Sequence, residues 1–113
     1  MTTESVQKKI QEITDRIVRE FEPEKIILFG SHAWGQPDKN SDVDIMVIVR
    51  DGDLSPTKRS VLAHRCLRGL NIPKDIIVKT HAEIEKYRNV HESLECEVLE
   101  HGKVLWVKTA QIN

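Results

Sequence analysis

The residues with the clearest capacity for chemistry are two aspartates that follow a Gly-Ser turn. Gly30 and Ser31 end one apolar run of the chain. After ten intervening residues, Asp42 and Asp44 open a second apolar run. Because alternate residues of a strand point to the same face, these two carboxylates are expected to project together, about 7 Å apart along the backbone. They would repel each other unless a cation lay between them, and magnesium is a hard cation that takes oxygen ligands.

The Gly-Ser turn has the composition of a phosphate-binding element. Glycine lets backbone N–H groups approach an anion closely, and a short helix that starts near Ser31 would direct its positive end towards a phosphate. Metal-binding acids next to a phosphate site indicate phosphoryl or nucleotidyl transfer.

This arrangement of Gly30-Ser31, ten residues and Asp42-x-Asp44 resembles the signature of the polymerase-beta-like nucleotidyltransferase superfamily. The longer stretch EKIILFGSHAWGQPDKNSDVDIMVIV is similar to the small stand-alone branch of that superfamily, the minimal nucleotidyltransferases (MNT). Many of these are antitoxins encoded beside a helical HEPN-domain toxin. The similarity extends to the DIIV segment and the LEHGKVLW segment near the end of the chain.

The resemblance implies a set of site residues and cofactors. Asp42, Asp44 and Asp75 would be the catalytic, metal-binding carboxylates that hold two Mg²⁺ ions, with Mn²⁺ as an alternative. Asp75 would also help to deprotonate the attacking hydroxyl. Gly30 and Ser31 would bind the phosphates of a nucleoside triphosphate, ATP in the first instance. The sequence around Asp75 alone is less specific, since many strands begin with an aspartate left over from a turn.

Two positions depart from the pattern of many relatives, which carry arginine there. His32 and Trp34 occupy these positions, and we expect Trp34 to pack against the sheet edge or a partner rather than stack on a base. Lys39 could steer a triphosphate, although a single loop lysine is usually solvated.

The resemblance also implies the biological role. The protein would transfer AMP from ATP to a tyrosine of a HEPN toxin partner and thereby act as its antitoxin. Two alternatives stay open: an antitoxin that neutralises its partner by binding alone, and nucleotidyl transfer to a small molecule. A homodimer and a hetero-oligomer are both compatible with these readings.

Composition limits the remaining function classes. The 113 residues predict a single domain, 1–113, and the formal net charge of −1 gives no electrostatic case for nucleic-acid binding. The aromatic content of 4% also argues against a base-stacking surface. Cys66 and Cys96 lack CxxC spacing, and the apolar runs are too short to span a bilayer. We therefore expect a cytoplasmic protein with reduced thiols and no membrane association.

Periodicity predicts an α/β (α+β) chain with a small mixed sheet flanked by helices. In the predicted helix over 55–70, Val61, Leu62, Cys66 and Leu70 face inward and Arg59, Arg65 and Arg68 face outward. The predicted helices cover 4–21, 31–34, 55–70, 80–87 and 92–100, and the predicted strands cover 25–29, 42–50, 75–78 and 103–107.

The topology follows if the turn and the acids serve one site. The turn ends the first strand while Asp42 and Asp44 begin the second, so these strands should be antiparallel. Asp75 begins the third strand after a crossover helix, so the second and third strands should be parallel.

Overall fold

The computed structural model describes residues 3–35, 37 and 41–109. Their helices and strands follow the order αβαβαβααβ. The helices are α1 (Thr3–Phe21), α2 (Ser31–Trp34), α3 (Pro56–Cys66), α4 (His81–Tyr87) and α5 (Leu94–His101), and the strands are β1 (Lys25–Phe29), β2 (Val43–Val49), β3 (Lys74–Thr80) and β4 (Lys103–Val107).

The strands form one mixed four-stranded sheet in the order β3-β2-β1-β4. β1 pairs antiparallel with both β2 and β4, whereas β2 and β3 run parallel. Both predicted strand orientations are therefore confirmed, and β4, which corresponds to the predicted strand 103–107, lies at one edge of the sheet. The parallel pair is joined through α3, as a crossover connection requires.

Side chains from both faces of the sheet are buried, because helices cover it on two sides. In β1, Ile26 and Leu28 belong to the cluster with α1 and α3, while Ile27 and Phe29 belong to the cluster that includes Ile84 and Val98 of α4 and α5. This explains why β1 reads as a continuous apolar run rather than an alternating one.

Helix α1, predicted over residues 4–21, buries an apolar stripe. Ile13 and Ile17 are fully buried, and Val6, Val18 and Phe21 pack against the same cluster. The helix ends at Phe21, since Glu22 adopts a positive φ of 45° and Pro23 follows.

Helix α3 differs from the prediction in length and in rotation. It ends at Cys66 instead of residue 70, and Ser55 caps its first turn by accepting a hydrogen bond from the N–H of Lys58. The inward prediction for Val61 is wrong, since this side chain is 49% exposed. The outward prediction for Arg59 is also wrong, because its side chain is only 4% exposed.

The rotation of α3 has a long-range cause. The buried side of the helix carries Arg59 and Ala63, and Leu67, directly after the helix, continues the same spacing of four residues. Burial of Arg59 is possible because Glu83 of α4 accepts a hydrogen bond from its Nη1 at 2.7 Å.

No helix in the described ranges has the length and apolarity needed to cross a bilayer.

Candidate active site

Gly30 brings the Gly-Ser turn directly against the acidic pair. Its φ of 75° lies in the left-handed region, which favours glycine. A Cβ atom at this position would collide with Oδ2 of Asp44. The contact follows from the register of the antiparallel pair, in which Phe29 lies opposite Asp44. The turn at the end of β1 and the start of β2 therefore share one edge of the sheet.

Helix α2 continues from this turn and is a single turn long. The N–H groups of Ala33 and Trp34 donate to the carbonyl oxygen of Gly30 at 2.9 and 3.1 Å. No side chain caps the start of the helix. The first backbone N–H groups of a helix lack intrahelical acceptors, so the turn has the character of an anion-binding element.

The carboxylates lie on adjacent strands at the same edge. Asp44 and Asp75 are paired in the parallel register of β2 and β3, and Asp42 precedes the first residue of β2 by one position. Asp44 lies two residues before Met46, and Asp75 lies two residues before Ile77. Because alternate residues of a strand share a face, both aspartates lie on the face of the sheet that packs against α4 and α5. The fold therefore brings the three sequence-predicted aspartates and the glycine turn to one end of the sheet.

The acids influence one another electrostatically. Burial raises the pKa of the Asp44 carboxyl above its usual range, and the negative charges of Asp75 and Asp42 raise this pKa further, against a smaller opposing effect of His32. A negative charge on Asp44 is thus disfavoured without a neutralising partner. A cation near these side chains would favour the ionised form of Asp44 and lower its pKa.

The donor chemistry fits a hard divalent ion. Carboxylate oxygens are the ligands that magnesium takes in proteins. Within the described ranges, no group of three or more Asp, Glu, His or Cys side chains is already arranged to hold a metal ion.

His32 and Trp34 connect the turn to its surroundings. Nε2 of His32 lies 3.3 Å from the carbonyl oxygen of Ser41, the residue before Asp42. The Trp34 ring packs against Phe29, as predicted, with ring centroids 6.4 Å apart, and it remains 44% exposed. Lys39 lies outside the described residues.

Sequence reasoning missed one polar cluster at the opposite end of the sheet. Glu83 accepts hydrogen bonds from the N–H and the hydroxyl of Thr80 and from Arg59. Thr80 and Glu83 form a capping box, and their Thr-x-x-Glu spacing is a signal that the sequence does contain. The partnership with Arg59 has no local signal, because the two residues are 24 positions apart.

The chain is similar to a known protein family and to several solved structures. Residues 8–111 match the family model described as polymerase beta, nucleotidyltransferase. Among curated proteins, none is significantly similar.

Three solved structures share the fold. A Sulfolobus solfataricus protein assigned as a nucleotidyltransferase is 21% identical, with a TM-score of 0.62 over 96% of this chain and 91% of that one. A toxin–antitoxin complex with AMP-PNP is 26% identical, with a TM-score of 0.62 over 87% of this chain and 73% of that one. A mutant MntA-HpeT toxin–antitoxin complex is 23% identical, with a TM-score of 0.59 over 87% of this chain and 72% of that one. The predicted polymerase-beta-like nucleotidyltransferase fold is thereby confirmed.

Proposed function

This chain belongs to the polymerase beta nucleotidyltransferase family, and on that premise we propose that it transfers AMP from ATP to a protein hydroxyl. The acceptor is a tyrosine of a HEPN-domain toxin, which the modification silences in the cytoplasm. The observation that carries the proposal is the packing of Gly30 against Asp44 while Asp75 lies opposite Asp44 in the sheet. A phosphate-binding turn and acidic metal ligands are the two components that nucleotidyl transfer requires.

Each residue of the site has a role in this reaction. Asp42, Asp44 and Asp75 would hold two Mg²⁺ ions, or Mn²⁺, which supply Lewis-acid stabilisation of the phosphates and lower the pKa of the acceptor hydroxyl. Ser31 would bind the β- or γ-phosphate through its hydroxyl and backbone N–H, and the absence of a side chain at Gly30 lets that phosphate approach.

The bond changes are those of a displacement at phosphorus. The acceptor oxygen forms a bond to the α-phosphorus of ATP, and the bond from that phosphorus to the bridging oxygen breaks. Pyrophosphate leaves, and Asp75 accepts the proton of the hydroxyl. The products are pyrophosphate and a protein that carries AMP on the acceptor oxygen.

A toxin partner is supported by the comparison with complexes. One similar structure, 26% identical, is a toxin–antitoxin complex that contains the ATP analogue AMP-PNP. In that protein, a nucleotide and a toxin partner therefore occur in the same assembly. This association favours a protein acceptor for the present chain over a small-molecule acceptor.

Labelling tests the proposal directly. The protein is incubated with ATP labelled on the α-phosphate, Mg²⁺ and the HEPN protein encoded by the neighbouring gene. We expect label on the partner with the wild type, and at least a hundredfold less with Asp42→Asn. The matched control is Asp53→Asn, which lies in the exposed loop beyond the other end of β2 and should label normally. Absence of label on any protein would overturn the proposal.

The second candidate function is neutralisation by contact alone, which the similarity to toxin–antitoxin complexes also favours. It is distinguished by the double variant Asp42→Asn/Asp44→Asn in cells that express the toxin. Transfer-dependent action predicts that the double variant no longer protects, whereas contact alone predicts full protection.

A further inference from the structure

A cavity lies at the end of the sheet opposite the aspartates. It has a volume of about 360 Å³, within the range of small-ligand sites. Val49 and Thr80, the last residues of β2 and β3, form part of its wall. Asp44 and Asp75 lie five residues earlier on the same strands, which places the cavity about 17 Å from them. The other wall residues come from α1, the loop after β2 and α3: Glu20, Phe21, Arg50, Asp51, Gly52, Leu54, Arg59 and Leu62.

Arg59 is the unusual member of this wall. Its guanidinium makes two hydrogen bonds to Glu83, from Nη1 at 2.7 Å and from Nη2 at 3.3 Å. Its Nε is closed off from solvent and has no hydrogen-bond acceptor, and no other side-chain nitrogen or oxygen among the described residues shares that state. An unpaired buried donor destabilises a fold, because it has lost its hydrogen bonds to water without gaining a new acceptor. An acceptor supplied by a ligand would remove that penalty.

The charges of the cavity define the kind of acceptor. Glu83 already neutralises the charge of Arg59. Of the other wall residues, Glu20 and Asp51 are acidic and Arg50 is basic. An additional anion would therefore meet a net negative wall, whereas a neutral carbonyl or amide oxygen could accept from Nε without that repulsion.

The remaining wall favours an apolar body on the same ligand. Phe21, Val49, Leu54 and Leu62 contribute apolar side chains. Leu54 is 46% exposed. Because Nε of Arg59 is closed off from solvent, a ligand in the cavity reaches this atom only when a wall side chain such as Leu54 shifts.

We propose that this cavity binds a small uncharged molecule that carries a carbonyl or amide oxygen on an apolar body, with Nε–H of Arg59 as the hydrogen-bond donor. The site is independent of nucleotidyl transfer, and its test requires no nucleotide.

Nuclear magnetic resonance of the intact protein can observe the proposed donor itself. The probe is pentanamide, titrated while the Nε–H signal of Arg59 is followed in a ¹⁵N-correlated spectrum. The internal reference is Nε–H of Arg16, which already donates to Glu12 at 3.0 Å. We expect a saturable shift of the Arg59 signal and no shift of the Arg16 signal. Pentanoate should bind at least tenfold more weakly, and pentylammonium, which has no acceptor, should leave the Arg59 signal unchanged.

Two matched variants connect the signal to the cavity. Leu54→Trp places a bulky side chain on the wall and should weaken pentanamide binding at least tenfold. Val61→Trp lies on an exposed part of α3 outside the wall and should leave binding unchanged. The proposal is overturned if pentanamide gives no saturable shift or if Leu54→Trp binds as well as the wild type. It is also overturned if Nε–H of Arg59 contacts only bound water at every pentanamide concentration.

Discussion

At the scale of single residues, Gly30 decides how closely the turn approaches the acids. Its positive φ and its contact with Asp44 are two separate requirements for glycine. We predict that Gly30→Ala reduces nucleotidyl transfer at least a hundredfold, because the added methyl group displaces the Asp44 carboxylate. Strain at the positive φ alone should lower the free energy of unfolding by about 1–2 kcal/mol. Transfer kinetics and chemical denaturation measure the two effects.

Other glycines separate these two requirements. Gly69 has a φ of 92° and open space around the position of a Cβ atom, so Gly69→Ala should lower stability while activity is retained. Gly52 has open space around the position of a Cβ atom and no positive φ, so Gly52→Ala should change neither stability nor activity. Equal activity losses in Gly30→Ala and Gly69→Ala would contradict the assigned contact with Asp44.

The raised pKa of Asp44 leads to a prediction about metal binding. Its ionised form is disfavoured by burial and by the charges of Asp75 and Asp42. We expect Asp44→Asn to increase the Tm of the metal-free protein, because it removes this repulsion. For the wild type, Mg²⁺ should raise the free energy of unfolding by about 2.7 kcal/mol at roughly a hundred times the Kd. Thermal denaturation with and without Mg²⁺ measures both effects.

The control for this prediction is Asp53→Asn, which removes an acidic side chain far from the site. It should keep the full Mg²⁺ response, whereas Asp44→Asn should lose it. Retention of the response in Asp44→Asn would show that the ion binds elsewhere.

At the scale of elements, the ion pair of Arg59 and Glu83 joins α3 to α4. The Arg59 guanidinium is the main cause that lowers the pKa of Glu83 from 4.5 to about 2, and hydrogen bonds from Thr80 assist. Because the folded-state pKa is depressed, the stabilisation is present above pH 4.5 and is lost as the pH falls towards 2. We predict a loss of about 1–2 kcal/mol, less than the roughly 3 kcal/mol of an unscreened shift, since a third of the Glu83 side chain is exposed.

Chemical denaturation between pH 6 and pH 3 measures this loss. Glu83→Gln should be less stable than the wild type at pH 7 and should show a flatter acid dependence over this interval. The matched control is Glu12→Gln, which removes the partner of Arg16 in a partly exposed pair on the helix surface. Such pairs contribute about 0.2–1 kcal/mol, so this variant should follow the wild type. Equal pH profiles for the wild type and Glu83→Gln would refute the assignment.

At the scale of the whole molecule, one sheet separates two buried clusters that should unfold together. Ile13 of α1 lies in one cluster and Ile84 of α4 lies in the other. We predict that Ile13→Ala and Ile84→Ala each lower the free energy of unfolding by about 2–5 kcal/mol, through lost burial and a residual cavity. Circular dichroism and tryptophan fluorescence should report one coincident transition in each variant. Separate transitions would contradict the prediction of a single domain.

The sequence was informative where the signal is local and strong. The apolar stripe of α1 and the apolar run of β1 each lie within one element, so neighbouring residues suffice to predict them. The sequence was uninformative about the rotation of α3. Apolar residues occur around much of that helix, at 61, 62, 63 and 66, so no single face stands out.

The sequence by itself determined the order of the elements and the mixed sheet, and it located the Gly-Ser turn and the acids at the ends of their strands, because spacing along the chain expresses all of these. Only the tertiary structure decided that Asp44 and Asp75 share a register position and that Gly30 packs against Asp44. The burial of Arg59, too, was decided only by the tertiary structure. The reason is that register and helix rotation depend on partners distant in sequence: a charged arginine can enter the interior only where the fold brings a carboxylate to meet it.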